Sequence, residues 1–144
     1  MLGTGSAGLA ATYAIGAVML GEKVANTLTA GTHGSTFGGN PICAAGAYNI
    51  ISRIDNKLLL EVQAKNRYII EKLGKVPGVE YISGKGLMLG IKTTRPAKEV
   101  ISTCIASGVL VLSAKDKVRL LPALNIPMDI LKEAVEIIAA AINN

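Results

Sequence analysis

A loop rich in glycine and hydroxyl side chains is the clearest candidate for chemistry in this 144-residue chain. Its sequence, GTHGSTFGGNP, occupies residues 31–41 and places Ser35 and Thr36 shortly before Asn40 and Pro41. Asn is a preferred N-cap and Pro is favoured at the first helical position, so a helix is predicted to begin here. Hydroxyls, backbone N–H groups and a helix N-terminus together suit a phosphate or a carboxylate. A solvent-exposed loop that Asn40 merely caps explains the same residues equally well.

Three other features could suggest chemistry but favour a structural interpretation. His33 is the only histidine and has no carboxylate close to it in the sequence, so we interpret it as a residue that shapes the loop. The run GKG at residues 84–86 lacks the surrounding βαβ pattern of a nucleotide-binding loop, which favours a turn between strands. Cys43 and Cys104 lie far apart in apolar stretches, which predicts two reduced, buried thiols and no metal site or disulfide.

Composition excludes several classes of partner. Half of the residues are hydrophobic but only 3% are aromatic, so the core must consist of small aliphatic side chains, which suits helices packed on short strands. The net charge is +5, yet the lysines are scattered, and a solvated basic surface is favoured over a nucleic-acid interface. The apolar run at residues 7–20 is shorter than the roughly 20 residues that span a bilayer. With no signal peptide evident, these features predict a soluble, cytoplasmic protein.

Hydrophobic spacing and turn residues predict the order of the elements that must position the loop. A short strand is expected over residues 15–20, then a turn at residues 21–23, the loop, and helices over residues 41–54 and 57–73. From residue 79 the pattern predicts a ββαββα unit, with elements over residues 79–82, 87–91, 96–106, 109–112, 118–121 and 127–142. The predicted class is therefore α/β to α+β.

The loop and three further segments resemble one enzyme family. GTHGSTFGGNP, followed by a helix of small residues, is similar to a characteristic loop of acetylornithine and ornithine aminotransferases, which are class-III, pyridoxal-phosphate-dependent enzymes. IGAVMLGEKVANTL resembles the strand and turn upstream of that loop, GVEYISGKGLMLGI the approach to the family's small domain, and KVRLLPALNI its late arginine strand. The resemblance covers residues 5–144. It implies the C-terminal part of a fold-type I pyridoxal-phosphate (PLP) transferase.

Three side chains acquire roles through this resemblance. Ser35 and Thr36 fall on positions that contact the cofactor phosphate of the partner subunit in the family dimer, and Thr36 is the better match; the alternative is that both hydroxyls bond to their own backbone. Arg119 falls on the arginine that holds the substrate α-carboxylate, for which a planar guanidinium is suited. Because Arg119 alternates with Val118 and Leu120, it is predicted to point away from them. An edge-strand arginine in water is the alternative.

The same resemblance marks one catalytic position as missing. Aligning Gly8 and Leu9 with the family's lysine-glycine-leucine run puts Ala7 where the lysine that forms the Schiff base with PLP is expected. Lys23 belongs to the GEK turn, which the family has in addition to that lysine. The half of the enzyme that supplies the phosphate-binding loop and the aspartate on the pyridine nitrogen is expected upstream of residue 1. The resemblance therefore implies that the chain contains no catalytic residue and does not bind PLP stably by itself.

The resemblance also implies three regions and a parent reaction. Residues 1–54 would be a remnant of the large PLP-binding domain, residues 55–78 a connecting helix and residues 79–144 the small α+β domain. The parent reaction transfers an amino group between N-acetylornithine and 2-oxoglutarate in arginine biosynthesis, with ornithine or succinylornithine open as substrates. This chain alone is expected to be an inactive fragment that forms a homodimer or higher oligomer, without a nucleic-acid or membrane partner. The alternative is a non-catalytic, self-associating domain, whether truncated, degenerate or engineered.

Overall fold

The computed structural model describes residues 15–16, 18, 20–36 and 38–143, which form two compact units divided between Asp55 and Asn56. In the first unit, Glu22–Val24 forms a 3-10 turn and helix α1 spans Pro41–Ile51. The strand predicted over residues 15–20 is reduced, among its described residues, to an isolated β-bridge at Val18. A strand needs a neighbour along its whole length to form a ladder, and local sequence does not supply one.

The second unit contains the predicted ββαββα order, preceded by a long helix. Its elements are α2 (Asn56–Leu73), β1 (Val79–Lys85), β2 (Met88–Thr93), α3 (Ala97–Ala106), β3 (Leu112–Ala114), β4 (Lys117–Leu120) and α4 (Met128–Asn143). The strands form one antiparallel sheet in the order β1-β2-β4-β3. The predicted α/β to α+β class is confirmed.

Alternation along the two central strands decides which face of this sheet becomes the core. Leu89 and Ile91 of β2 lie opposite Leu120 and Val118 of β4, and all four side chains are buried. Helices α2, α3 and α4 contribute the rest of the same hydrophobic cluster, chiefly through Ile69, Leu73, Val100, Cys104, Leu131, Val135, Ile138, Ala141 and Ile142. Burying one such Leu, Ile or Val side chain stabilises the fold by about 1.5–3 kcal/mol. All three helices therefore cover one face of the sheet, and the helices of this unit leave the other face open.

Each of the two hairpins has a residue with positive φ in its turn. The turn predicted at residues 83–86 is wrong in position: Ser83–Lys85 pair with Met88–Gly90, and only Gly86 and Leu87 lie between the strands. Gly86 has φ +59°, and glycine is favoured at the first position of a two-residue hairpin turn with positive φ. In the β3–β4 hairpin, Lys115 takes φ +58° beside Asp116.

An exposed ion pair ties that second turn to β2. Lys92 Nζ lies 3.0 Å from Asp116 Oδ2. The hydrogen bond between them raises the pKa of Lys92 and lowers the pKa of Asp116. The stabilisation that this ion pair gives to the turn is therefore lost as pH falls through the lowered pKa of Asp116. It is also lost as pH rises through the raised pKa of Lys92. The pair therefore contributes over the pH range in which Asp116 is deprotonated and Lys92 is protonated.

The ends of α1 and α3 lie close to their predicted positions. Helix α3 begins at Ala97, one residue later than predicted, with Pro96 as its N-cap residue, and Gly108 follows the helix with φ +87°. Helix α1 ends at Ile51, three residues earlier than predicted.

Cys43 and Cys104 are both free and buried, which confirms the prediction of two buried thiols. Burial raises the pKa of the Cys104 thiol. Over the described residues, no helix combines the length and apolarity needed to cross a membrane.

Candidate functional site

Arg119 lies on the face of the four-stranded sheet that α2, α3 and α4 leave open. Residues that alternate with the buried ones define this open sheet face, which consists of Tyr81, Ser83, Lys85, Met88, Gly90, Lys92, Leu112, Ala114, Lys117 and Arg119. Arg119 pairs with Gly90 on one side and Leu112 on the other. The sequence-based expectation that Arg119 points away from Val118 and Leu120 matches this geometry, since both of those neighbours are buried.

The guanidinium of Arg119 retains most of its hydrogen-bonding capacity. One terminal nitrogen lies 3.5 Å from Met88 Sδ, a weak acceptor. The ion pairs found among the described residues involve other cations, namely Lys65, Lys92 and Arg95. A guanidinium has five N–H donors in a fixed fork, so Arg119 can accept a carboxylate without breaking an existing ion pair.

A buried lysine fixes the chain segment that follows the Arg119 strand. Lys65 of α2 is 5% exposed, and its Nζ donates to the carbonyl oxygen of Leu124 at 2.9 Å. Glu61 lies one turn earlier, with a carboxylate oxygen 3.9 Å from the same nitrogen. Lys65 is not among the site residues predicted from the sequence. The only sequence feature that could have indicated Lys65 is its position one turn before Ile69, on the core side of an amphipathic helix.

The loop predicted to contact a phosphate exposes its two hydroxyls. Ser35 and Thr36 are exposed, and their side chains form no hydrogen bond to any described residue. The backbone turns tightly after them, since Gly38 N–H donates to the carbonyl oxygen of Ser35 at 3.1 Å. A Cβ at Gly38 would approach that oxygen to 3.2 Å, so a larger residue there would crowd the turn. Both hydroxyls are free to bind an anion.

The helix N-terminus beside this loop is already occupied. Asn40 Oδ1 accepts from the N–H groups of Ile42 at 3.0 Å and Cys43 at 3.2 Å, and Pro41 at the start of α1 has no N–H. The predicted N-cap is therefore confirmed, and it has a consequence for binding. These first amides of α1 are not available to an anion, so a phosphate contact would depend on the loop hydroxyls.

The candidate residues and motifs from the sequence lie in different parts of the structure. Ser35 and Thr36 belong to the first unit, and Arg119 belongs to the second. The GKG run at residues 84–86 forms the end of β1 and its turn, as favoured over a nucleotide-binding loop. Within the described ranges, no group of three or more His, Cys, Asp or Glu side chains could hold a metal ion. Ala7 lies outside the described residues.

Comparison with known proteins identifies the family. The sequence profile described as "Aminotransferase class-III" matches residues 2–142, which is nearly the whole chain. The chain belongs to the class-III aminotransferases. The resemblance drawn from the GTHGSTFGGNP loop and the arginine strand is therefore confirmed at the level of the family.

Individual class-III aminotransferases resemble the chain in both sequence and structure. The acetylornithine aminotransferase of Haemophilus ducreyi is 39% identical over 138 residues, which cover 94% of this chain and 35% of that protein. Ornithine delta-aminotransferase of Plasmodium falciparum superimposes with a TM-score of 0.74 at 30% identity, covering 92% of this chain and 37% of that one. Ornithine aminotransferase of Toxoplasma gondii gives 0.68 at 27% identity, covering 80% and 30%. The chain spans about a third of the length of the curated relatives it matches.

Class-III aminotransferases use PLP, and the Toxoplasma structure is described with PLP at partial occupancy in its active site. The described residues of this chain fit one part of that cofactor. Ser35 and Thr36 present two exposed, unbonded hydroxyls, which suit the phosphate oxygens. Lys23 is exposed in the Glu22–Val24 turn. Among the described residues, these two hydroxyls are the feature that suits the phosphate end of the cofactor, and Ala7 lies outside those residues.

Proposed function

We propose that this chain is part of an acetylornithine-type aminotransferase, which transfers an amino group between N-acetylornithine and 2-oxoglutarate with PLP in arginine biosynthesis. The observation that carries the proposal is the guanidinium of Arg119, which lies on the open sheet face beside Gly90 and has no carboxylate partner among the described residues. The identity of 39% to the Haemophilus ducreyi enzyme supports this choice of substrate over ornithine. Two free, buried cysteines suit a cytoplasmic protein.

Arg119 would bind and orient the substrate. Both substrates of the proposed reaction carry an α-carboxylate, and a bidentate pair with the guanidinium fixes the direction of the bound molecule as well as its position. Lys65 would support this geometry indirectly, because its bond to Leu124 holds the segment that follows β4. Fixing that segment limits the positions that the arginine strand can adopt.

Ser35 and Thr36 would contact the cofactor phosphate across the subunit boundary. PLP, when bound, supplies the aldehyde and the electron sink for the amino transfer. The two hydroxyls would donate charge-assisted hydrogen bonds to phosphate oxygens. They would hold only the phosphate end, and Ala7, at the position where the resemblance places the Schiff-base lysine, has no amine. The 144-residue chain by itself is therefore proposed to be inactive and not to retain PLP.

A chimeric enzyme tests the role of Arg119. Residues 56–144 of this chain would replace the matching region of a full-length acetylornithine aminotransferase, so that the host supplies its own lysine and cofactor site. We expect glutamate formation from N-acetylornithine and 2-oxoglutarate. Arg119→Ala should then raise KM for both substrates, because losing a hydrogen bond to a charged group costs about 1.5–3 kcal/mol, or roughly 10- to 150-fold.

The matched control is Lys98→Ala, which removes an exposed cation from α3 on the helical side of the sheet. It should leave KM for both substrates unchanged. Melting temperatures should agree among the chimera and both variants, because Arg119 contributes little to the core. Arg119→Ala kinetics equal to those of the parent chimera would contradict the assigned role.

We also propose that the chain self-associates through its first unit. Cys43 is the one buried hydrophobic side chain among the described residues of that unit. More than half of the side-chain surface is exposed at several large apolar residues, namely Val18, Leu28, Ile42, Tyr48 and Ile51. Apolar surface of this extent on a soluble protein favours association with another surface.

Light scattering on the purified chain tests this association. We expect a dimer or larger assembly, and we expect the pair Ile42→Glu and Ile51→Glu to shift it towards monomer by placing charges on α1. Ile130→Glu is the control, since Ile130 is 50% exposed, against 58% for Ile42 and Ile51, but lies on α4 of the second unit. A monomeric wild-type chain at high concentration would refute the proposal.

A further inference from the structure

Asn66 of α2 holds the turn between β1 and β2. Its side-chain Nδ2 donates to the carbonyl oxygen of Gly86 at 2.6 Å, although the two residues are 20 positions apart in the chain. Gly86 and Leu87 lie between Lys85 and Met88, the last paired residues of the hairpin. Asn66 is half-buried, so water competes less for this carbonyl than it would at an open turn. The position of the turn therefore depends on α2 as well as on its own two strands.

The turn that Asn66 holds leads directly to the surroundings of Arg119. Strand β2 begins at Met88, two residues after Gly86, and the Met88 Sδ atom is the one that a terminal nitrogen of Arg119 contacts at 3.5 Å. Gly90, two residues further along β2, pairs with Arg119 across the sheet. A displacement of the turn would therefore move both the thioether that contacts the guanidinium and the backbone opposite the arginine.

The residue next to Asn66 acts on the other central strand. Lys65 donates to the carbonyl oxygen of Leu124, in the segment that follows β4. Because β2 and β4 are antiparallel, the start of β2 and the end of β4 lie at the same end of the sheet. Two adjacent residues of α2 therefore hold both central strands at the end where Arg119 lies.

We propose that Asn66 is a positioning residue for Arg119, which by holding the β1–β2 turn sets the place of the guanidinium that receives the substrate carboxylate. The inference rests on the proposed function, because Arg119 is taken to bind that carboxylate. Asn66 belongs to a helix that covers the opposite face of the sheet, so it acts through β2 without touching the substrate. A misplacement of about 1 Å in such a binding group can cost up to roughly 100-fold in rate.

NMR spectroscopy of the 144-residue chain tests the link between Asn66 and Arg119 without cofactor or substrate. Asn66→Asp keeps the shape of the side chain, but an ionised carboxylate has no N–H to donate to Gly86. We expect this variant to shift the amide signals of Gly86 and Met88 and the Nε–H signal of Arg119. Gln63→Glu is the matched control, since it makes the same amide-to-carboxylate change at an exposed position of α2 and should leave these signals in place.

The chimera that carries residues 56–144 tests the consequence for substrate binding. Asn66→Asp should raise KM for both substrates about threefold or more, and Gln63→Glu should leave KM unchanged. The same Asn66→Asp substitution should cause no further rise in the Arg119→Ala background, because a residue that acts through Arg119 is energetically coupled to it. Ile138→Ala, which truncates a buried side chain of α4, controls for lost stability. It should lower the melting temperature and leave KM unchanged.

The outcomes separate this inference from the proposed function. If Arg119→Ala leaves KM unchanged, the proposed function fails and this inference fails with it. If Arg119→Ala raises KM and Asn66→Asp does not, the role of Arg119 stands and the positioning role is refuted. Equal KM rises from Asn66→Asp with and without Arg119, or an equal rise from Ile138→Ala, would also refute it. So would NMR shifts that Gln63→Glu reproduces, or an Arg119 signal that does not respond to Asn66→Asp.

Discussion

We expect the purified 144-residue chain to form no glutamate from N-acetylornithine and 2-oxoglutarate above a buffer blank, even with PLP in excess. Transamination by this family needs a lysine amine to hold the aldehyde and return a proton. The resemblance places Ala7, which has no amine, at that position. Exposed lysine amines that no binding site orients react with an aldehyde without selectivity. Ser35 and Thr36 could contribute only part of the binding energy, which must also offset the lost translational freedom of the cofactor.

Borohydride trapping and peptide mapping make this test independent of turnover. We expect low, scattered labelling of surface lysines rather than one modified site. The chimera with the host enzyme's lysine serves as the positive control, and it should give a single labelled host peptide under the same conditions. One lysine of this chain labelled stoichiometrically, together with measurable turnover, would show that the active site lies elsewhere in the chain.

Replacing Gly84 by alanine should cost the second unit about 3 kcal/mol or more of its free energy of unfolding. Gly84 lies near the end of β1 with φ +132°, a conformation that residues with a Cβ rarely adopt. A Cβ at this position would lie 2.1 Å from the carbonyl oxygen of Met88 and 3.0 Å from Leu89 Cα. Both contacts are with the backbone of the paired strand, which cannot move away without breaking the β1–β2 ladder.

Gly108→Ala is the matched control for this substitution. Gly108 also has positive φ, at +87°, but no neighbouring atom lies within 4 Å of an added Cβ. Its variant should therefore show the backbone strain alone, about 1–2 kcal/mol. Urea unfolding followed by circular dichroism, with hydrogen exchange of β1 and β2 amides, would compare the two. Equal losses would mean that the close contact with Met88 is not what excludes a side chain at Gly84.

The sequence by itself determined features that depend on neighbouring residues. Asn40 and Pro41 start α1 because the cap contacts amides two and three residues away, and Gly108 follows the end of α3 because its backbone accepts positive φ. The ββαββα order follows from the period of the apolar residues. The same alternation separates Arg119 from Val118 and Leu120. The family resemblance likewise rests on contiguous segments.

Only the tertiary structure decided features that depend on distant segments. Alternation puts Val118 and Leu120 on one side of β4, but the packing of three helices decides that this side is covered and that Arg119 lies on the open one. The partners of Lys65 and Lys117 lie 59 and 34 residues away along the chain, so no local pattern predicted them. The short β1–β2 turn has the same cause, since backbone pairing across the hairpin continues through the polar residues that suggested a loop.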